Sequence, residues 1–146
     1  MEFEQLKLEN QVCFPIYAAS RLITRAYQPL LEKLELTYPQ YLVLMILWET
    51  DRISVNEITE KLILNTNTVT PLLKRMEVQG LIHRERSTND ERRVTISLTS
   101  KGAELKQQAA DVPAELVKKL DVGELDLQEI IDLRDKLNRL IEAIRN

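Results

Sequence analysis

From Tyr41 to Trp48 the chain carries eight consecutive apolar residues, Tyr-Leu-Val-Leu-Met-Ile-Leu-Trp. The run is far short of the roughly 18–20 apolar residues that a membrane-spanning helix needs. It follows a helix-start signal: in Thr37-Tyr38-Pro39-Gln40 a hydroxyl and an amide stand three residues apart, with proline in the first turn. A helix that is apolar on every side has no face to offer water. The pattern therefore predicts a central core helix, through about Glu49, around which the rest of a single mainly helical domain packs. Composition allows this: 44% of the residues are hydrophobic and 29% charged, which suits a packed core, and only three are glycine.

Two short helices should follow. Ser54-Val55-Asn56-Glu57 is a second capping box and opens a helix ending near Leu62. Leu64-Asn65-Thr66-Asn67-Thr68 is a run rich in cap formers, after which a helix should run through Val69 to Gln79 and stop at Gly80. Two short helices joined by a brief polar turn make a helix-turn-helix. On the second, Val69, Leu72, Leu73 and Met76 supply the buried stripe. Thr66, Asn67, Thr68, Thr70, Lys74 and Arg75 fall near the exposed face.

Past Gly80 the period changes from helical to alternating. Leu81 to Arg86 is β-compatible, Ser87-Thr88-Asn89-Asp90 is a turn, and Val94, Ile96 and Leu98 alternate with Thr95 and Ser97. This is a hairpin with Arg84, Arg86, Arg92 and Arg93 at its tip and base. A basic hairpin after a helix-turn-helix is a winged helix. Its helix can place Thr and Asn on base edges in a major groove, and Lys74, Arg75 and the wing arginines can hold phosphates or enter a minor groove. Net charge is −3 overall, yet Lys74 to Arg93 holds six Lys/Arg against four Asp/Glu, a local +2. DNA binding needs only such local positive charge.

The flanking segments read as long helices. Leu6 to Lys33 carries Val12, Ile16, Ala19, Ile23 and Leu30 on one stripe, with a kink or a true start near Cys13 because of Pro15. Thr99 should cap a long helix that Pro113 bends or ends. Asp126-Leu127-Gln128-Glu129 should cap the last one, striped by Ile130, Leu133, Leu137, Leu140, Ile141 and Ile144. Few elements remain to cover these stripes, which points to a second copy of the chain. The expected plan is a homodimer formed through about residues 6–36 and 100–146, with a winged helix-turn-helix over about 37–99.

One cysteine, Cys13, rules out an internal disulfide and a cysteine-based zinc site; the single histidine, His83, argues against any metal centre. No glycine-rich phosphate loop or nucleophile–base set is present, so neither enzyme activity nor a cofactor is expected. The polar, acidic N-terminus has no apolar core of a signal peptide, so a cytoplasmic, non-membrane protein is expected.

The wing segment Asp90-Glu91-Arg92-Arg93-Val94-Thr95-Ile96-Ser97-Leu98-Thr99 resembles the signature of MarR-family transcription regulators, and the order of elements resembles that family from end to end. Three further stretches resemble its OhrR branch, which is related to MgrA and SarZ. They are Val12-Cys13-Phe14-Pro15-Ile16-Tyr17, Leu36-Thr37-Tyr38-Pro39-Gln40-Tyr41, and Thr68-Val69-Thr70-Pro71-Leu72-Leu73-Lys74-Arg75-Met76-Glu77. The resemblance implies a repressor of organic hydroperoxide resistance genes that leaves its DNA when the N-terminal cysteine is oxidised. Carried over residue by residue, it makes Cys13 the sensing thiol and Tyr27 and Tyr38 its hydrogen-bond partners, with Asp90 and Arg92 holding and presenting the wing.

Spacing adds two constraints. Tyr17, four residues from Cys13, shares its helix face. Tyr27 lies fourteen residues on, ~21 Å along a straight helix. If it serves the thiol, it must come from the other subunit. The expected partners are thus a pseudo-palindromic DNA duplex, a second copy of the chain, and an organic hydroperoxide and a small thiol reacting at Cys13. Two other readings remain open: a regulator answering a small aromatic ligand with Cys13 structural, and a thiol peroxidase. The latter lacks a nearby base and a resolving thiol.

Overall fold

The structure is a computed structural model of the chain and describes residues 3–120 and 123–145. Among the described residues, seven α-helices surround one small sheet: α1 (Cys13–Glu32), α2 (Tyr38–Glu49), β1 (Ile53–Ser54), α3 (Val55–Leu62), α4 (Thr66–Val78), β2 (Ile82–Arg86), β3 (Val94–Leu98), α5 (Ser100–Ala109), α6 (Val112–Leu120) and α7 (Leu127–Arg145). The mainly helical winged helix-turn-helix read from the pattern is the observed architecture.

Local hydrogen-bonding chemistry fixes most helix starts. Before α2, Thr37 Oγ1 accepts from the Gln40 N–H (3.4 Å) while Gln40 Oε1 accepts from the Thr37 N–H (3.1 Å). Before α3 the same exchange joins Ser54 and Glu57, and before α7 it joins Asp126 and Glu129. Thr99 Oγ1 accepts from Gly102 N (3.0 Å) at the head of α5. Each exchange satisfies N–H groups that have no partner within the helix.

The helix ends hold a departure from expectation. Gly80 closes α4 at φ +75° in a Schellman turn: Leu81 N donates to Met76 O (3.0 Å) and Gly80 N to Glu77 O (2.9 Å). The same turn closes α1 at Glu35 and α3 at Ile63, both left-handed. A β-branched residue with φ +55° inside the helix-turn-helix is strained by about 1–2 kcal/mol.

Other boundaries also move. Of the two outcomes expected at Pro15, a kink or a true start near Cys13, the structure takes the second: the chain before Cys13 forms two 3₁₀ turns, Glu4–Leu6 and Leu8–Asn10, and α1 begins at Cys13. Pro15 falls in its first turn, where a missing N–H costs nothing. Helix α4 begins at Thr66, not Val69, because Asn65 is the cap. The long helix expected after Thr99 is broken into α5 and α6, with Pro113 in the first turn of α6. The wing gains a third strand. β1 pairs antiparallel with β3 (Ile53↔Ile96), and β3 with β2 (Ile82↔Leu98, Arg84↔Ile96, Arg86↔Val94).

The core lies where α2, α3 and α4 meet the sheet: Val43, Leu44, Leu47, Ile58, Val69, Leu73, Met76, Ile82 and Ile96 are buried. α2 is central, but not enclosed on all sides. Met45 is exposed on the single chain, so its apolar circumference exceeds what one chain covers. The deficit is larger on α1 and α7. Leu31 is the only buried residue of α1, and no described residue of α7 is buried. Val12 at the N-cap of α1, Ile16, Leu22 and Ile23 on α1, and Leu133, Leu140, Ile141 and Ile144 on α7, stand exposed.

Candidate nucleic-acid interface and thiol site

The exposed face of α4 starts at its N-terminus. Asn65 Oδ1 accepts from both the N–H and the hydroxyl of Thr68 (3.0 and 3.1 Å), so Thr68 is partly committed to the cap. Thr66 and Asn67 are exposed, and no hydrogen bond within the described chain occupies their side chains. Thr70 is half-buried on the side facing the wing. One turn on, Lys74 and Arg75 are exposed, opposite the buried Leu72, Leu73 and Met76. The helix thus presents short polar groups first and cations second, an order suited to base edges at its N-terminal end and phosphates further back.

The wing is held by its own backbone. Asp90 Oδ1 accepts from Arg92 N (3.0 Å), Asp90 O from Arg93 N (3.0 Å), and Arg93 O from Ser87 N (2.9 Å). This closes the turn, and Arg92 and Arg93 are exposed there, lining a cleft with Asn56 and Glu57 at the start of α3. Among the described residues, Arg86, Arg92, Arg93, Lys74 and Arg75 form no ion pair. The Asp90 carboxylate thus closes the wing turn onto the Arg92 N–H. Arg93 also lies beside the start of α3. The Ser54 N–H and hydroxyl hold the Glu57 carboxyl below its ordinary range, and Arg93 and Lys61 lower it further. Arg84 differs from its neighbours: it is half-buried and its guanidinium lies 3.9 Å from Glu77 of α4.

Cys13 is exposed at the first position of α1, where Val12 offers no side-chain cap. Tyr17, one turn along, is exposed too, and its ring carries the Arg21 guanidinium 4.7 Å from its centre. Tyr27 stands at the far end of the same helix, stacked on Tyr38 (centroids 4.7 Å) and close to Tyr41 (5.8 Å), which meets Trp48 at 6.3 Å. Because α1 runs unbroken through both prolines, Tyr27 and Tyr38 are together but are not brought to Cys13 of their own chain. No hydrogen bond within the described chain engages the Tyr27 or Tyr38 hydroxyl.

Burial, with the negative charges that Tyr38 and Tyr41 would carry, pushes Tyr27 up from 10.0 to about 12; burial raises Tyr38 as well, and burial plus Tyr38 raises Tyr41. At neutral pH both outer hydroxyls are therefore protonated donors. An acid whose folded value lies above its unfolded one stabilises the fold fully below the unfolded value and loses that contribution as pH climbs through the folded one. The melting temperature should thus decline between about pH 10 and pH 12, and Tyr27→Phe should flatten that decline. An equally steep decline in the variant would assign it to other groups.

The model of the family described as transcriptional regulator SarA/Rot matches residues 25–109, from the end of α1 through the helix-turn-helix and wing to α5. The chain belongs to this family of transcriptional regulators. Among its relatives, the organic hydroperoxide resistance transcriptional regulator of Bacillus subtilis (strain 168) is 48% identical, over 98% of this chain and 95% of that protein. The HTH-type transcriptional regulator MgrA of Staphylococcus aureus is 38% identical over 96% and 94%. Among solved structures, reduced AbfR bound to DNA superposes with a TM-score of 0.81 at 34% identity, with all of both chains covered. The MarR-type, OhrR-like resemblance read from the motifs is the one these relatives carry, and they are named as regulators, not enzymes.

Within this family frame two side chains stand out that local pattern does not mark. Asn65 caps the recognition helix, although any residue of the Asn65–Thr68 run could have done so. Glu77 binds the wing root seven residues downstream. No short-range signal announces that contact, because α4 must first turn back at Gly80.

Proposed function

We propose that this chain is a cytoplasmic, homodimeric repressor that leaves DNA when an organic hydroperoxide oxidises Cys13. One observation carries the reading: the continuous helix α1 places Cys13 at one end and the Tyr27–Tyr38 pair at the other, with an uncovered apolar flank between them. A second copy running antiparallel would cover that flank and bring the partner subunit's Tyr27 and Tyr38 to the thiol as donors. Burial of apolar area at about 25 cal/mol per Å² drives such pairing. In this plan residues 6–36 and 100–146 join the subunits and 37–99 read DNA. Thr66, Asn67, Thr68 and Thr70 face base edges, Lys74 and Arg75 hold phosphates, and Arg86, Arg92 and Arg93 extend from the wing.

The chemistry follows from the single thiol. The Cys13 thiolate attacks the outer peroxide oxygen, the O–O bond breaks, and the alkoxide leaves as the alcohol after taking a proton. Sulfur is oxidised to sulfenic acid. With no second cysteine in the chain, a small thiol then displaces water to give a mixed disulfide. Oxidation adds bulk to the sulfur at the subunit seam, and so alters the spacing of the two recognition helices.

The test is direct. The dimer should select a pseudo-palindromic duplex from a random library, with half-sites about 34–36 Å apart, and affinity should fall steeply with salt. Cumene hydroperoxide plus a small thiol should then weaken binding by roughly 5–150-fold, the usual range of coupling between sites. A monomer at micromolar concentration, or binding indifferent to peroxide, would remove this reading. A second reading has one observation in its favour. Leu36, Thr37, Gln40, Lys74 and Val78 line a groove of about 640 Å³ beside the recognition helix, large enough for an aromatic ligand.

A further inference from the structure

The wing's first strand alternates, so Ile82, Arg84 and Arg86 share the face turned toward α4 while His83 and Glu85 point away. Ile82 is buried in the core, Arg86 is exposed toward the tip, and Arg84 lies between them, opposite Ile96 in the register. Glu77 of α4 takes hold of that middle position twice. Its Oε2 accepts the backbone N–H of Arg84 at 2.9 Å, and its Oε1 lies 3.9 Å from the Arg84 guanidinium Nη1. The Arg84 side chain is 21% exposed, and its Nε is buried with no partner. A buried donor left unpaired is costly, and an apolar residue beside Ile82 and Ile96 would extend the core without that cost. Stability alone therefore does not account for an arginine here. Position offers another reason: Glu77 and Arg84 join α4 to the wing beside a cleft of about 260 Å³, whose other lining residues are Thr70, Lys74, Arg86 and Val94.

We propose that Glu77 and Arg84 are positioning residues that set the angle of the wing to the recognition helix, and that Arg84 is not itself a DNA contact. Helix and wing address different grooves of one duplex, so their relative angle decides whether both can engage at once. With the brace intact, Arg86, Arg92 and Arg93 are presented in register with Thr66 and Asn67. Without it, each half can still meet DNA, but not together. The inference rests on the wing and α4 being the two DNA-reading elements.

Charge and positioning predict opposite signs for one substitution. Glu77 lies on the surface that faces DNA, so removing its negative charge should by electrostatics alone tighten binding to any duplex. The brace predicts that Glu77→Ala binds the duplex selected by the wild-type protein about tenfold more weakly, the scale of losing a hydrogen bond to a charged group. Binding to a random duplex should be unchanged or tighter, and the melting temperature should stay within a few degrees. Hydroxyl-radical footprints should lose protection at the outer minor grooves reached by the wing and keep it in the central major grooves. Glu77→Gln, whose amide oxygen can still accept the Arg84 N–H, should recover part of the loss. Arg84→Met keeps the backbone N–H that Glu77 holds and loses only the 3.9 Å ion pair, so it should shift binding and footprint in the same direction as Glu77→Ala but less, and the double variant should be no worse than Glu77→Ala. Equal or tighter binding of the selected duplex by Glu77→Ala would overturn the proposal. So would additive losses in the double variant, or a footprint of Arg84→Met that loses a single phosphate with the wing still in place. Failure of the wild-type protein to select a duplex would instead remove the DNA-reading assignment beneath it.

Discussion

Cys13→Ser is expected to bind the selected duplex as the wild-type protein does and to lose its response to hydroperoxide entirely. The side chain is exposed at the first residue of α1, outside the core and on neither α4 nor the wing, so the exchange of sulfur for oxygen should leave packing and DNA binding unchanged. A hydroxyl cannot take the oxidative step. The 5–150-fold weakening expected for wild type should collapse to no change. Linkage adds a check that needs no variant: if oxidation weakens DNA binding by a given factor, bound DNA must disfavour oxidation of Cys13 by the same factor at equilibrium. Fluorescence anisotropy before and after cumene hydroperoxide and a small thiol measures the first effect, and labelling of the remaining thiol in the presence of DNA measures the second. Peroxide release that persists in Cys13→Ser would move the sensing function off the thiol, and would favour the groove beside α4 as the place where regulation enters.

Gly102→Ala should be among the most damaging single substitutions, and against the usual sign. In a helix interior alanine ordinarily stabilises over glycine by about 1 kcal/mol. Here a Cβ would stand 2.1 Å from the backbone oxygen of Leu81, with the Leu98 side chain at 3.2 Å. The obstacle is main chain, and it is pinned. Leu81 O accepts from Thr99 N (3.1 Å), Thr99 Oγ1 donates to Gly80 O (2.6 Å), and the Trp48 indole N–H donates to Gly102 O (2.9 Å). Relief requires moving α5 off the root of the wing. A loss of about 3 kcal/mol or more follows, near the upper end for overpacking, with a fall of roughly 10 °C in melting temperature. Gly80→Ala is the control. Its Cβ meets nothing within 4 Å, so only the left-handed backbone at φ +75° penalises it, by about 1 kcal/mol. Equal stabilities for the two variants would mean that the close approach of α5 to Leu81 does not exist.

These contacts explain which parts of the molecule could be read early. Capping boxes, the Gly80 stop, the alternation of β3 and the stripe of α4 all depend on residues within a few positions of one another, so local chemistry suffices to place them. The two-residue strand β1 has no such signal. Ile53 and Ser54 are too few to show a period, and they become a strand only because β3 lies alongside. The start of α1 shows a related limit: apolar spacing runs back to Leu6 and Pro15 allows either a kink or a start near Cys13, and only the structure chooses the start, with two 3₁₀ turns ahead of it.

The candidate site divides in the same way. The exposed polar run of α4 and the wing arginines follow from periodicity, and the separation of Cys13 from Tyr27 follows from helix rise. Sequence alone determined the order of elements, the polar exposed face of α4, and the separation of Cys13 from Tyr27 along α1. Only the tertiary structure decided that Tyr27 stacks on Tyr38, that Arg84 is drawn back to Glu77 while Arg86 is left free, and that Gly102 touches Leu81. Each joins residues on different elements, and their meeting depends on how helices and sheet close over the core. The first kind of fact is set by bonds spanning a turn or two of chain; the second appears only when burial of apolar surface brings distant segments together.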